Sequence, residues 1–184
     1  MLTVNFKPFP ELETERFRLR AVMPSDIHEV FKLRSDKETM RYIARPLMKT
    51  LNDAEAHIKM IEEGITKNEF INWAITFKGE NKLIGIIGFY RMNLDHHRSE
   101  VGYILGREHH RKGIMNEALH AVMDYGFKRL KFHQIEAVID PRNAASEGIL
   151  LKNKFVKEAY FKENYFHEEM YLDSAHYTML AQNW

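Results

Sequence analysis

The chain has no cysteine among its 184 residues. That excludes disulfides, cysteine-based zinc and iron–sulfur sites, and a thiol nucleophile. Any covalent intermediate on the protein would need Ser, Thr, Lys, His, Tyr or a carboxylate. The absence also suits a reducing compartment, and a cytoplasmic protein is expected. Charge of one sign is lacking too. There are 27 Lys and Arg against 26 Asp and Glu, a formal net charge of +1. That balance leaves no global footprint for nucleic acid or an anionic membrane, and neither is an expected partner. No apolar run approaches the roughly 20 residues that span a bilayer. Met1 to Pro10 contains Lys7, Pro8 and Pro10 and no signal-peptide apolar stretch. What is present is core material: 45% hydrophobic and 12% aromatic residues. This composition argues a folded protein, and the length suits one domain over residues 1–184.

Periodicity divides the chain into elements. Arg16, Arg18 and Arg20 alternate with Phe17, Leu19 and Ala21, as in a half-buried strand with the arginines on one face. Pro24-Ser25-Asp26 then opens a short helix through Ile27, Val30, Phe31 and Arg34. Residues 36–50 show no clear pattern. Asn52-Asp53 is expected to cap a helix carrying Ala54, Ile58, Ile61 and Ile65. Asn72–Phe77 and Leu83–Tyr90 read as a hairpin around Lys78-Gly79-Glu80-Asn81. Gly85 and Gly88 inside the second run imply a bulge or a close backbone approach.

Ser99–Leu105 reads as a further strand. After it comes a helix whose apolar face runs Met115, Ala118, Leu119, Val122, Met123, Gly126, Phe127 and Leu130. Gln134–Ile139 is a strand, Ser146–Lys152 a short helix, and the aromatic stretch from Phe155 holds one or two strands. The order implies an α/β or α+β fold with a mixed sheet.

The informative unit is strand 99–105, the basic loop 106–113 and the helix behind it. Backbone N–H groups at a helix N-terminus, with the helix dipole, form an anion site. Arg111 and Lys112 add charge there, and Gly113 allows close backbone approach. An ordinary solvated loop with a turn glycine has the same pattern. No G-x-x-x-x-G-K-[ST] and no G-x-G-x-x-G after a first strand occur.

Glu100-Val101-Gly102-Tyr103-Ile104-Leu105, followed by His110-Arg111-Lys112-Gly113-Ile114-Met115-Asn116-Glu117-Ala118-Leu119, resembles the acetyl-CoA motif of the GNAT superfamily of N-acetyltransferases, in its RimJ/RimL-like subgroup. Supporting pieces are Leu12–Arg20, Trp73-Ala74-Ile75, Leu83-Ile84-Gly85, Asn143-Ala144-Ala145-Ser146 and Lys152-Asn153-Lys154-Phe155. The family pattern is Gln/Arg-x-x-Gly-x-Gly/Ala. Here His110 takes the first place, Arg111 the second and Met115 the last, and Gly113 is retained. Lys154 stands where a glycine usually precedes the Phe.

The resemblance implies a GNAT-type fold, a mixed and mostly antiparallel sheet of about seven strands flanked by about four helices, with two splayed central strands. It implies acetyl-CoA as co-substrate, its pantetheine arm in the gap between strands 99–105 and 134–139. Backbone groups of Ile104 and Leu105 would pair with that arm. His110, Arg111, Lys112, Gly113, Ile114, Met115 and Asn116 would hold the pyrophosphate, and Asn143 would contact the arm. The acceptor is an amine, on a protein N-terminus or a small molecule. Glu100 is the candidate base and Ser146 the candidate acid for the thiolate. Tyr165 and Tyr160 are weaker acids. Each has an ordinary alternative: a strand-end carboxylate, helix-capping by Ser146 and Asn143, and sheet packing by the tyrosines.

Arg34, Arg41, Tyr42 and Arg45 are candidates to line an acceptor pocket for an acidic peptide, or are surface charge. A homodimer through the C-terminal strands fits the family. The pairs His96-His97 and His109-His110 lack metal-ligand spacing, so no metal is expected. Trp73 and the methionines of the long helix read as core. Two other readings compete. One is a non-catalytic CoA-binding sensor that keeps Arg111–Asn116 without needing Glu100 or Ser146. The other is an RNA-associated protein using the Arg16, Arg18 and Arg20 face.

Overall fold

The computed structural model describes residues 2–184. The chain runs β1 (Leu12–Glu13), β2 (Phe17–Ala21), α1 (Ile27–Ser35), α2 (Lys37–Met40), α3 (Leu51–Thr66), β3 (Ile71–Phe77), β4 (Gly85–Asn93) and β5 (Arg98–Leu105). It continues through α4 (Ile114–Asp124), β6 (Gln134–Ile139), α5 (Ala144–Lys152), β7 (Val156–His167) and β8 (Met170–Leu180). The strands form one eight-stranded sheet in the order β1-β2-β3-β4-β5-β6-β8-β7. Neighbouring strands in the sheet pair antiparallel, with β8 lying between β6 and β7. The exception is β5 with β6, which run parallel because α4 carries the chain back between them. No helix among the described residues is long and apolar enough to cross a membrane.

Helices cover both sheet faces. On one face Ile114, Met115, Ala118, Leu119, Val122 and Met123 of α4 pack with Trp73, Phe89 and Val101. On the other, Val30 and Leu33 of α1 and Ala54 and Ile58 of α3 pack with Ile86 and Ile104. Side chains alternate along β5, so Val101, Tyr103 and Leu105 face α4 while Glu100 and Ile104 face α1 and α3. The Trp73 indole donates to the Pro10 carbonyl at 2.7 Å and is core, as are the methionines of α4.

Several local expectations are corrected. Thr50, not Asn52-Asp53, caps α3. Its Oγ1 accepts from the Asp53 amide at 3.3 Å, and Asp53 Oδ2 accepts from the Thr50 amide at 2.9 Å. This is a capping box, with Asp53 in the third helical place. The long helix stops as an α-helix at Asp124 and finishes in a wider π turn over Tyr125–Arg129. The unpatterned stretch contains the one-turn helix α2, capped by Asp36. Gly85 and Gly88 mark close approach. A Cβ at Gly88 would strike the Ile71 carbonyl, and the register irregularity of β4 falls instead between Tyr90 and Asn93.

The arginine face of β2 is not an open basic stripe. Arg16 pairs with Glu117 at 2.7 Å and Arg18 with Glu11 at 2.8 Å. Arg20 is buried and places Nη1 and Nη2 on Asp26, each at 2.7 Å. Its face lies under the helices, which alternation alone does not reveal. Asp26 also accepts from the Met23 amide at 2.8 Å, fixing the entry to α1. Removing one member of a buried pair leaves an uncompensated charge. Asp26→Ala is therefore expected to lower unfolding stability by about 3–5 kcal/mol, measured by urea denaturation. A loss below about 1 kcal/mol, the surface-pair range, would contradict this account of Arg20.

Candidate active site

β5 and β6 pair only from Arg98–Gln134 to Glu100–Glu136. Beyond that point β5 stays zipped to β4 through Leu105–Gly85, and β6 to β8 through Ile139–Ala175. The two strands therefore part, and a gap opens between them. Backbone groups of successive residues point to opposite edges of a strand. The His97 carbonyl accepts from the His133 amide, and the Gly106 amide donates to the Ile84 carbonyl. The odd residues therefore face β6 and the even ones face β4. Past Glu100, the peptide groups turned into the gap are those of Val101, Tyr103 and Leu105. Ile104, expected to serve there, turns its carbonyl against Gly85 of β4 instead. The Leu105 carbonyl is met by His110 Nε2 at 3.0 Å.

The loop after β5 ends in two left-handed residues, Arg111 at φ 60° and Gly113 at φ 73°. Gly113 caps α4 without a side chain. The first intrahelical bond runs from the Glu117 amide to the Gly113 carbonyl at 3.1 Å. The amides of Ile114, Met115 and Asn116 precede that bond and project from a positive dipole end, which makes an anion site. His110, Arg111 and Lys112 are exposed around it, whereas the Ile114 and Met115 side chains are core, leaving their backbone to serve.

Arg16 braces this loop. Its Nη1 donates to the Lys112 carbonyl at 3.1 Å, and its Nε and amide donate to the Glu117 carboxylate at 2.7 and 2.9 Å. Burial alone would raise the Glu117 carboxyl. Hydrogen bonds from Thr14 and Arg16 hold it below the ordinary range. Asn116 Oδ1 accepts from Asn153 Nδ2 at 3.0 Å, tying the start of α4 to the end of α5. Lys154 takes φ 62°, so the turn after α5 keeps its left-handed form without glycine. The Lys154 amide reaches Leu151 and the Phe155 amide Leu150, the bonds of a Schellman cap.

Glu100 sits at the last shared rung. It lines a cleft of about 200 Å³ with Arg91, Ser99, Glu136, Val138 and His176. Burial raises its carboxyl above the ordinary range, against the opposing pull of Arg91, whose Nη1 donates to Oε2 at 2.6 Å. Glu136 adds to the rise and His176 opposes it. A polar chain continues from Glu136 to His176 Nδ1 at 2.5 Å, from His176 Nε2 to Ser174 Oγ at 3.2 Å, and from Ser174 to Asn164 at 3.0 Å. Arg91, Glu136 and His176 were not singled out from sequence. The available signal was that two predicted neighbouring strands each carry a glutamate.

Ser146 lies on the opposite sheet face from Glu100, buried in the first turn of α5. Asn143 caps that helix, its Oδ1 accepting from the Ser146 amide at 3.1 Å. The Ser146 hydroxyl instead lies 2.7 Å from the Tyr103 hydroxyl. Burial pushes the Tyr103 phenol up to about 12, against a lowering contribution from Ser146. The weaker acid candidates are engaged elsewhere. Tyr160 donates to Asp173, and Tyr165 accepts from Arg45 at 2.9 Å. Arg41 stacks on Tyr42 at the surface, whereas Arg34 is half-buried on α1. Among the described residues no group of three His, Asp or Glu is arranged to hold a metal ion.

Residues 16–156 match the sequence profile of the acetyltransferase (GNAT) domain. The uncharacterized N-acetyltransferase YoaA of Bacillus subtilis (strain 168) is 35% identical over 150 residues, covering 82% of this chain and 85% of the relative. The ribosomal protein uS5-alanine N-acetyltransferase of Escherichia coli (strain K12) is 29% identical over 107 residues, 58% of this chain and 55% of that protein. A crystal structure of a GNAT-family acetyltransferase from Bacillus anthracis superposes with a TM-score of 0.84 at 28% identity. It covers 94% of this chain and 99% of the other.

Proposed function

This chain belongs to the GNAT acetyltransferase family, and on that premise we propose that it moves an acetyl group from acetyl-CoA directly to a primary amine in a ternary complex. The amine is carried by a protein N-terminus or a small molecule, and residues 1–184 act as one catalytic domain. The observation that carries the reading is the parted pair β5 and β6 beside a braced helix N-terminus that has no side-chain cap. A pantetheine arm offers amides to the unpaired groups of Tyr103 and to the amide of Leu105, and a pyrophosphate suits the amides of Gly113–Asn116. Arg111 and Lys112 add charge there, His110 steadies the strand end, and Asn143, whose Oδ1 caps α5, would contact the arm through Nδ2.

Bound acetyl-CoA supplies an activated thioester carbonyl; the rest is the work of side chains. Glu100 takes a proton from the incoming ammonium, directly or through water, so that the nitrogen lone pair is free to attack. Its raised pKa places it closer to the working pH than an ordinary carboxylate, which suits a general base. On the other face the Ser146 and Tyr103 hydroxyls lie 2.7 Å apart. With Tyr103 as the donor of that bond, the Ser146 proton is directed at the sulfur as the C–S bond breaks, and the proton lost by the amine nitrogen restores the balance. Without cysteine no acyl-cysteine can form, so direct transfer is the simplest route.

Acetyl-CoA at about 100 times its Kd is expected to stabilise the fold by about 2.7 kcal/mol. The charge reversal Arg111→Glu with Lys112→Glu should shrink the corresponding Tm shift. No shift with the unaltered protein at millimolar acetyl-CoA overturns the reading. Glu100→Gln should lower kcat/KM about 100-fold near neutral pH, the lower part of the general-base range. The deficit should narrow at alkaline pH, where the amine deprotonates unaided. A pH-independent ratio of one would remove Glu100 as base. CoA binding with no thiol release for any amine would favour the sensor reading.

A further inference from the structure

The polar groups left unused by this chemistry gather on the sheet face of Glu100. Five buried side-chain nitrogen or oxygen atoms lack a hydrogen-bond partner among the described residues, and three of them, Arg34 Nε, His57 Nε2 and Asn72 Oδ1, belong to one cluster. Arg34 of α1 acts on His57 of α3, whose imidazole is pushed down to about 4, first by burial and then by that cation. Asn72 of β3 donates from Nδ2 to the Tyr90 hydroxyl. Tyr90 in turn senses Arg34 and Glu100. It is the cross-strand partner of Glu100, and its ring lies over Gly102, where an added Cβ would meet Cε2 at 3.1 Å. The cluster thus runs from α1 to the edge of the Glu100 cleft.

Arg34 breaks the rule that Arg20 obeys. The buried Arg20 has Asp26 as a bidentate partner. Arg34 is enclosed at Nε, and burial weakens its hold on its proton. The charges acting on it are the Tyr90 phenol and a second cation, Arg45. A guanidinium withdrawn from water at Nε, with no carboxylate paired to it, is costly, and orphaned polar groups gathered in one place call for an explanation.

We propose that Arg34 reads a carboxylate on the amine acceptor, so that the preferred acceptors are amines bearing an acidic group. The planar fork of arginine fits a carboxylate bidentately. A neutral His57 can donate a further bond from Nε2, and Asn72 Oδ1 suits an N–H of the same molecule. The acceptor then lies with its amine toward Glu100 and Glu136 and its anionic end toward Arg34 and Arg45. A polyamine, cationic throughout, meets Arg34, Arg45 and Arg91 and is disfavoured. This specificity rests on the acetyltransferase reading above.

The test is thiol release from acetyl-CoA with matched acceptors. One arm compares a free amino acid with its amide. The other compares a peptide beginning with Glu with its Gln counterpart, and spermidine is the cationic control. The carboxylated member should be favoured at least tenfold in kcat/KM in one arm or both, which also separates small-molecule from peptide acceptors. Spermidine should be the poorest. Arg34→Gln should bring the preference close to one, and Arg34→Lys should keep part of it. Where neither member of a pair turns over, the same ratio is read from probe binding to the CoA complex. Ratios near one in both arms, a preference for spermidine, no binding of any probe, or a preference unchanged in Arg34→Gln would overturn the proposal. The ratios of the unaltered protein stand even if a variant fails to fold. Failure to bind CoA would instead strike the acetyltransferase reading itself.

Discussion

Between the Arg98–Gln134 and Glu100–Glu136 rungs, β5 and β6 are held together, and beyond them each follows its other neighbour. A buried peptide group without a partner costs about 1–3 kcal/mol, so a gap of this kind persists only because the outer pairings β4–β5 and β6–β8 are complete. The same parting leaves the carbonyl of Val101, both groups of Tyr103 and the amide of Leu105 without a strand partner. It also brings the end of β5 to the basic loop, whose left-handed Arg111 and Gly113 turn the chain into α4. Strand edge and helix N-terminus together suit one elongated, anionic, amide-bearing ligand, which is the basis of the proposed acetyl-CoA site.

Alternation along β5 distributes the chemistry. Glu100 faces α1 and α3 and shares its cleft with Arg91, Glu136 and His176. Tyr103, three residues on, faces α4 and holds Ser146. The proposed proton acceptor and proton donor thus stand on opposite sides of the same opening. Charge elsewhere near the site is mostly neutralised by fixed partners, as in Arg16 with Glu117 and Arg20 with Asp26. Against that background the unpartnered Arg34 is informative about what the protein binds.

Much of this was legible in the chain because it is local. The strand, basic loop and apolar-faced helix lie within residues 98–124, and their spacing raises an anion site there beside the alternative of an ordinary solvated loop. The Lys154 turn survived the loss of glycine because the cap bonds to Leu150 and Leu151 hold it. What was missed depends on relations between distant segments. That Glu136 meets Glu100, and that His176 meets Glu136, is a matter of register across strands far apart in sequence. That Arg20 is buried depends on which helices cover its face. Ile104 was misassigned by one residue because the sequence shows which side chains alternate, not which strand edge is left open. Tyr103 went unnoticed for the same reason.

The central claim is that the parted edge of β5 receives the cofactor arm. Residue-resolved hydrogen exchange with and without acetyl-CoA tests it most directly. The account predicts slowed exchange at the amides of Tyr103, Leu105, Met115 and Asn116, with Gly102 and Ile104 unchanged because they already pair toward β4. Protection absent from Tyr103 and Leu105, or equal on odd and even residues of β5, would contradict it.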